Sequence, residues 1–373
     1  STRRHLLHAH RVSLAQLLKC QQPKSAEAGA PAHDEHLFIV IHQVYELWFK
    51  QMLHDLDSIL DIFSQEYIPE KSIGVAVERL GRIVEIQRVL IGQLDVLETM
   101  SPVSLTVDQR MKYGARGYCS YLNGDDAATV GATEKVPNLF DLVQRWLERT
   151  PPLTAGGFDF WSHYRGAVRD MFAEDRRSIE ANTALPAEAK AKQVQELQGQ
   201  EEHFETLFDA EKHAALVKRG DRRMSHGAMQ AALLIWLYQH EPLLQQPYKL
   251  LSLLLDVDEH LVRWRYRHAQ MVHRMLGVKI GTGGSSGYTY LRATANRHKI
   301  FTDLFNLSTF LIPRYVLPPL PRAVALQLRF KIEPGLDDTS AAAAAAAVQA
   351  VAEGVSQEAA TAAAEAAVTS EKQ

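Results

Sequence analysis

The chain is expected to be all-α, and three observations lead to that class. Apolar residues recur at helical spacing along most of its length, alternating strand patterns are missing, and the longest periodic runs exceed any ordinary strand. With 373 residues and 46% apolar composition it has material for a large packed core.

Val12, Leu14, Leu17 and Leu18 mark a short amphipathic segment that ends at Pro23 and the SAEAGAPA stretch. A long helix is expected from about Asp34 to Phe63, with Glu46 and Lys50 as an outward i,i+4 pair. A second is expected from about Val75 to Glu98, with Val77, Leu80, Ile83, Ile86, Leu90 and Leu94 in register, and Pro102 breaks the pattern. Residues 104–136 read as loop with short helical pieces. Helical spacing resumes at LFDLVQRWLERT and stops at Pro151 and Pro152. It continues through Phe158–Phe172 and the charged stretch from Pro186 to Arg219, which should be exposed on most sides. The runs Met229–Tyr238 and Leu243–Leu255 are apolar enough to be buried, and a further helical pattern starts near Trp264. Residues 1–335 are expected to form one helical domain with 1–22 as an N-terminal helical arm, and 336–373 an alanine-rich, disordered tail.

A net charge of −3 argues against a general nucleic-acid or anionic-membrane binder. Two cysteines, Cys20 and Cys119, make no disulfide framework and suit a cytoplasmic location. No apolar run reaches the roughly 20 residues that span a bilayer, and the N-terminus lacks the apolar core of a signal peptide.

Chemistry concentrates at two histidines. In LFIVIHQVYELWF, residues Phe38, His42, Tyr45 and Phe49 share one helical stripe, which places an imidazole among aromatic rings. That arrangement suits a polar anchor in a pocket for a flat apolar ligand, and equally a core histidine bonded to its neighbours. In WRYRHAQMVHRMLGVKIGTGGSSGYTYL, Trp264, His268, Met271, Val272 and Met275 share a side. His273 is rotated away by about 140°, so the two imidazoles cannot chelate one metal from a straight helix. A lone histidine that binds iron needs other donors for the remaining positions, as an axial haem ligand does; the alternative is again a core histidine. The Gly281–Gly287 segment lacks the GxxxxGK[ST] arrangement and a preceding strand, so it reads as a loop that closes over a charged group or as a plain connector.

Four strings carry a family resemblance: HDEHLFIVIHQVYELWFKQMLHDLDSI, DRRMSHGAMQAALLIWLYQHEPLLQQPYKLLSLLLDVDE, the WRYRH to YTYLRAT segment, and FTDLFNLSTFLIPR. Together they resemble the tryptophan 2,3-dioxygenase family over most of residues 33–100 and 140–315. The resemblance implies a multi-helix bundle of the tryptophan/indoleamine dioxygenase type with ferrous haem b as cofactor and O₂ as co-substrate. It implies cleavage of the indole C2–C3 bond of L-tryptophan to N-formylkynurenine, the first step of tryptophan catabolism by the kynurenine route. It further implies that His268 is the axial haem ligand, His42 the distal histidine on the indole N–H, Phe38 a ring packed on the substrate and Thr282 a loop contact to its amino-acid end. A homotetramer with exchanged N-terminal arms follows from the same resemblance.

Two segments depart from the family pattern. His8 and Arg11 fall where the family carries tyrosines, which makes that wall more polar and positive. In LTVDQRMKYGARGYCSY the family's carboxylate-binding arginine falls on Gln109, next to Arg110, and a serine position falls on Arg116. Arg116 and Arg110 are therefore the candidates for substrate carboxylate, with Arg116 favoured because it directly precedes the aligned Gly117-Tyr118 pair. The departures leave open a haem oxygenase acting on another indole or aromatic amino acid, or a non-catalytic haem sensor.

Overall fold

Asp34 and Glu35 place two carboxylates in the first turn of helix α1 (Asp34–Ser64), where they complement the helix dipole. Glu35 also accepts from the backbone N–H groups of Lys24 and Ser25, at 2.8 and 2.9 Å, and so ties the preceding segment to the helix start. Ile41, Tyr45, Phe49, Met52, Leu56, Ile59 and Phe63 form a single buried face along α1, each at most 3% exposed. Glu46 and Lys50 are exposed, as their spacing predicts.

The computed structural model describes residues 12–27, 29, 31–100, 138–150, 153–155, 157–277, 287–297 and 299–329. Short turns of helix at Leu14–Leu17 and Lys24–Glu27 precede α1. Helix α2 (Glu70–Leu97), with Pro69 as its N-cap, starts five residues before the sequence-based start at Val75. Its first turn, Glu70-Lys71-Ser72-Ile73, offers only Ile73 to the buried face, too little for hydrophobic spacing to mark the start. Helices α3 (Leu139–Glu148), α4 (Phe160–Ala181), α5 (Ala187–Phe208), α6 (Ala210–Arg219) and α7 (His226–Leu237) follow. Asp209 splits the charged stretch into α5 and α6 by accepting from the N–H groups of Glu211 and Lys212. Only Leu197, Phe204 and Leu207 of α5 are buried, in line with its expected exposure.

Leu243–Leu255 and the pattern from Trp264 belong to one helix, α8 (Pro242–Leu276). Pro247, the sixth residue of the helix, forgoes a backbone bond to the Leu243 carbonyl, and the helix continues through it. Gly277 ends it at φ 62°. Helix α9 (Gly287–Arg297), the short α10 (Thr302–Asn306), a 3₁₀ turn (Leu307–Phe310) and α11 (Arg322–Gln327) complete the described part. Among the described residues the only strands are β1 (Thr154–Ala155) and β2 (Phe158–Asp159), an antiparallel pair turned by Gly157 at φ 85°. The class is all-α.

Helix α8 packs most extensively on α2, which also carries α1. Gln87 on α2 donates to the carbonyl of Val257 on α8 at 3.0 Å, and Arg82 pairs with the buried Asp55 of α1 at 2.9 Å. The chain divides into two compact units, residues 1–324 and 325–373. The site described next lies in the first.

Candidate active site: two uncharged histidines

His42 sits on the first third of α1, where the helix leaves the fully buried core. Its Nδ1 lies 2.7 Å from the carbonyl oxygen of Phe38, one turn earlier. A carbonyl only accepts, so Nδ1 carries the proton and Nε2 keeps its lone pair. Burial holds the imidazole below its ordinary pKa, against the opposing effect of that bond, and keeps the ring neutral. The Phe38 ring lies 3.8 Å from the imidazole, tilted by 39°. Both side chains remain partly exposed.

The stripe read from sequence therefore divides. Phe38 and His42 border accessible space, whereas Tyr45 and Phe49 are core residues at 1% and 3% exposure. Tyr45 donates to the carbonyl of Leu90 at 2.6 Å, and burial pushes its hydroxyl up to about 12. The Tyr45 and Phe49 rings meet Trp264 of α8 at 6.3 and 5.8 Å. This aromatic contact joins α1 to α8 at the point where α8 presents His268.

Trp264 and His268 stack in parallel, 5.6 Å apart with planes 8° from coincidence. Met271, Val272 and Met275, the other members of that side, are buried. His268 is partly exposed, yet burial lowers its pKa to about 4, with His42 as the second cause. A side chain reachable by solvent while enclosed by protein lines a recess, and electrostatic coupling places His42 nearby. Among the described residues neither ring nitrogen of His268 has a hydrogen-bond partner. An unprotonated, accessible imidazole beside apolar and aromatic walls fits a ligand to a flat iron-bearing group. Among the described residues no cluster of three or more His, Cys, Asp or Glu could hold a metal ion, so other donors would have to come from such a group.

The residue before His268 explains how its helix is held. Arg267 pairs with Glu98 at 2.6 Å and with Asp95, and Arg274 reaches Glu98 at 3.2 Å. These contacts clamp the end of α8 to the end of α2 beside the imidazole. Sequence reading missed them, since charged residues on long helices look like solvated faces. Thr282, Arg110 and Arg116, with His8, Arg11, Gln109 and the 104–136 stretch, lie outside the described residues.

Fold and site define an all-helical protein in which two uncharged imidazoles, from helices more than 200 positions apart in sequence, lie near enough to act on each other electrostatically. The family model described as tryptophan 2,3-dioxygenase matches residues 3–106 and 103–311. The chain belongs to the tryptophan 2,3-dioxygenase family and is thereby an oxidoreductase. A protein of that name from Bdellovibrio bacteriovorus is 45% identical over 346 residues, covering 86% of this chain and 96% of its own length. One from Dictyostelium discoideum is 42% identical over 358 residues, with 88% and 90% covered. One from Anopheles gambiae is 42% identical over 346 residues, with 84% and 88% covered. The family is in general haem-dependent and uses O₂. No helix among the described residues is long and apolar enough to cross a membrane.

Proposed function

We propose that the protein is a haem-dependent dioxygenase that opens the indole ring of L-tryptophan to N-formylkynurenine. The observation that carries this reading is the pair of neutral imidazoles, one with no hydrogen-bond partner among the described residues and the other with a fixed acceptor. His268 would hold the iron of haem b through its unprotonated nitrogen. Bound there in the ferrous state, haem would supply O₂ activation.

His42 orients the substrate. With Nδ1 committed to the Phe38 carbonyl, Nε2 is the acceptor an indole N–H requires. The Phe38 ring beside it offers a flat face for the indole, and the partly enclosed position of both residues limits water around the reacting carbons. At the amino-acid end, Thr282 is assigned to the ammonium and carboxylate region and Arg116, with Arg110 as its rival, to the carboxylate. Assembly as a homotetramer with exchanged N-terminal arms agrees with the exposure of Val12, Leu14, Leu17 and Leu18, at 39–67% in the single chain.

The test is direct. Ferrous, haem-loaded protein mixed with tryptophan and O₂ should accumulate the absorbance of N-formylkynurenine. A protein that binds haem through His268 but leaves tryptophan unchanged would overturn the substrate assignment.

A further inference from the structure

A second site lies away from the histidine pair. Helices α5 and α6, the turn at Asp221-Arg222 and the segment from Asn306 to Thr309 enclose a cleft of about 890 Å³, within the range of small-molecule sites. Its walls mix polar groups with the apolar faces of Phe204 and Leu216. Arg222 lies at its floor and is only 6% exposed.

The environment of Arg222 is unusual for a buried cation. It donates to Nδ1 of His213 at 3.0 Å and to the hydroxyl of Thr206 at 2.9 Å, both uncharged partners. The bond from Arg222 to Nδ1, with Nε2 of His213 donating to the Met224 carbonyl at 2.9 Å, keeps that histidine neutral. The guanidinium also sits 5.1 Å from the Phe310 ring, which stacks on His203 at 4.9 Å. Among the described residues no carboxylate lies within ion-pairing distance of Arg222. Asp303 is near enough to act on it electrostatically, but its Oδ2 accepts from the N–H groups of Arg223 and Met224 at 2.7 and 2.6 Å. Asp221, on the cleft wall, pairs with Arg219 at 2.9 Å. A buried charge without a counter-ion is costly, and a guanidinium has five donors of which these bonds use two. The remaining donors have no partner among the described residues, and Arg222 is one of the residues that line the cleft.

We propose that this cleft is a binding site for a small organic monocarboxylate, with Arg222 as its anion anchor. The guanidinium fork matches a carboxylate, and the Phe204 and Leu216 walls accommodate a flat apolar body. Glu196 and Asp221 on the rim disfavour a second negative charge on the ligand, which selects monocarboxylates over phosphate. His203, also on the wall, is kept below its ordinary pKa by burial and by Arg222, and so adds a neutral donor or acceptor.

Benzoate is the probe, titrated calorimetrically into the full haem-loaded protein, with benzamide and inorganic phosphate as controls. Gly199 lines the cleft on α5, and an added Cβ there meets nothing within 4 Å, so Gly199→Trp should fold and fill the site. Saturable benzoate binding is expected, with little binding of benzamide or phosphate. Gly199→Trp and Arg222→Lys should each weaken it by roughly tenfold or more, while His42→Ala should not change it. The assignment fails if benzoate does not bind, if Gly199→Trp binds it like the parent, or if His42→Ala abolishes binding. Phosphate binding as tightly as benzoate would overturn the monocarboxylate class.

Discussion

The Phe38 carbonyl accepts the Nδ1 proton of His42 at 2.7 Å while the Phe38 ring lies 3.8 Å from the same imidazole. One residue thus fixes both the tautomer of His42 and the aromatic face beside it. His42→Ala should therefore leave the haem absorption spectrum intact and lower turnover of tryptophan by about tenfold, the value of one well-placed hydrogen bond. The loss should be much smaller for tryptophan methylated at the indole nitrogen, which has no proton to donate. Equal losses for both substrates would remove the hydrogen-bonding role.

His268→Ala tests the other imidazole. The variant should lose tightly bound haem, with a weakened Soret band that added imidazole restores, since no clustered metal ligands among the described residues could substitute. Full haem retention with an unchanged spectrum would reassign His268 to the core.

Period and motif carried much of this fold, and the exceptions have physical causes. The stripe of Phe38, His42, Tyr45 and Phe49 looks uniform because a dry recess and a packed core select the same residue types. Only the bundle decides that α1 turns its first third to open space and the rest to Trp264. Helix α8 runs through Pro247 and gives up one backbone bond there, which its extensive packing on α2 offsets. Buried Arg222 and His213 were not legible either. In sequence they sit in a charged run that reads as solvated surface, and their burial depends on Asp303 and Phe310, some 80 to 90 residues on.

His213 gives a pH dependence. Burial, together with Arg222 and His226, lowers its pKa below the ordinary histidine value of 6.5, and the Met224 carbonyl and Asp303 only partly oppose this. Above that value folded and unfolded chains are both neutral here, so the group contributes nothing to pH dependence. Below it the unfolded chain takes up a proton that the folded chain refuses, and stability falls as pH falls. On moving from about pH 7.5 to about pH 5.5, the melting temperature should drop more for the parent than for His213→Gln. Identical drops would show that His213 titrates alike in both states.

The carboxylate anchor is tested on the substrate side. Arg116→Ala should raise KM for tryptophan by roughly tenfold or more, as loss of a charge-assisted pair implies, with haem content unchanged. An effect confined to Arg110→Ala would transfer the role six residues earlier. No effect from either would point to a substrate not held as tryptophan is.

Asp258 is a sharper test of how α8 holds the chain that follows it. The residue is 1% exposed, and its Oδ2 accepts from the N–H groups of Ile300 and Phe301, both at 2.9 Å. Burial raises its pKa, while those two bonds and the Lys299 and Arg265 charges favour the ionised form. The carboxylate thus holds the two residues that lead into α10 from the same helix that carries His268. Asp258→Ala would leave two buried N–H groups without an acceptor, at about 1–3 kcal/mol each by ordinary desolvation costs. Asp258→Asn keeps one acceptor oxygen, which can serve both N–H groups as Oδ2 does, and should lose less. Urea unfolding of the three proteins should therefore place the alanine variant lowest and asparagine between. If alanine is no less stable than asparagine, Ile300 and Phe301 find other acceptors and the cap contributes little.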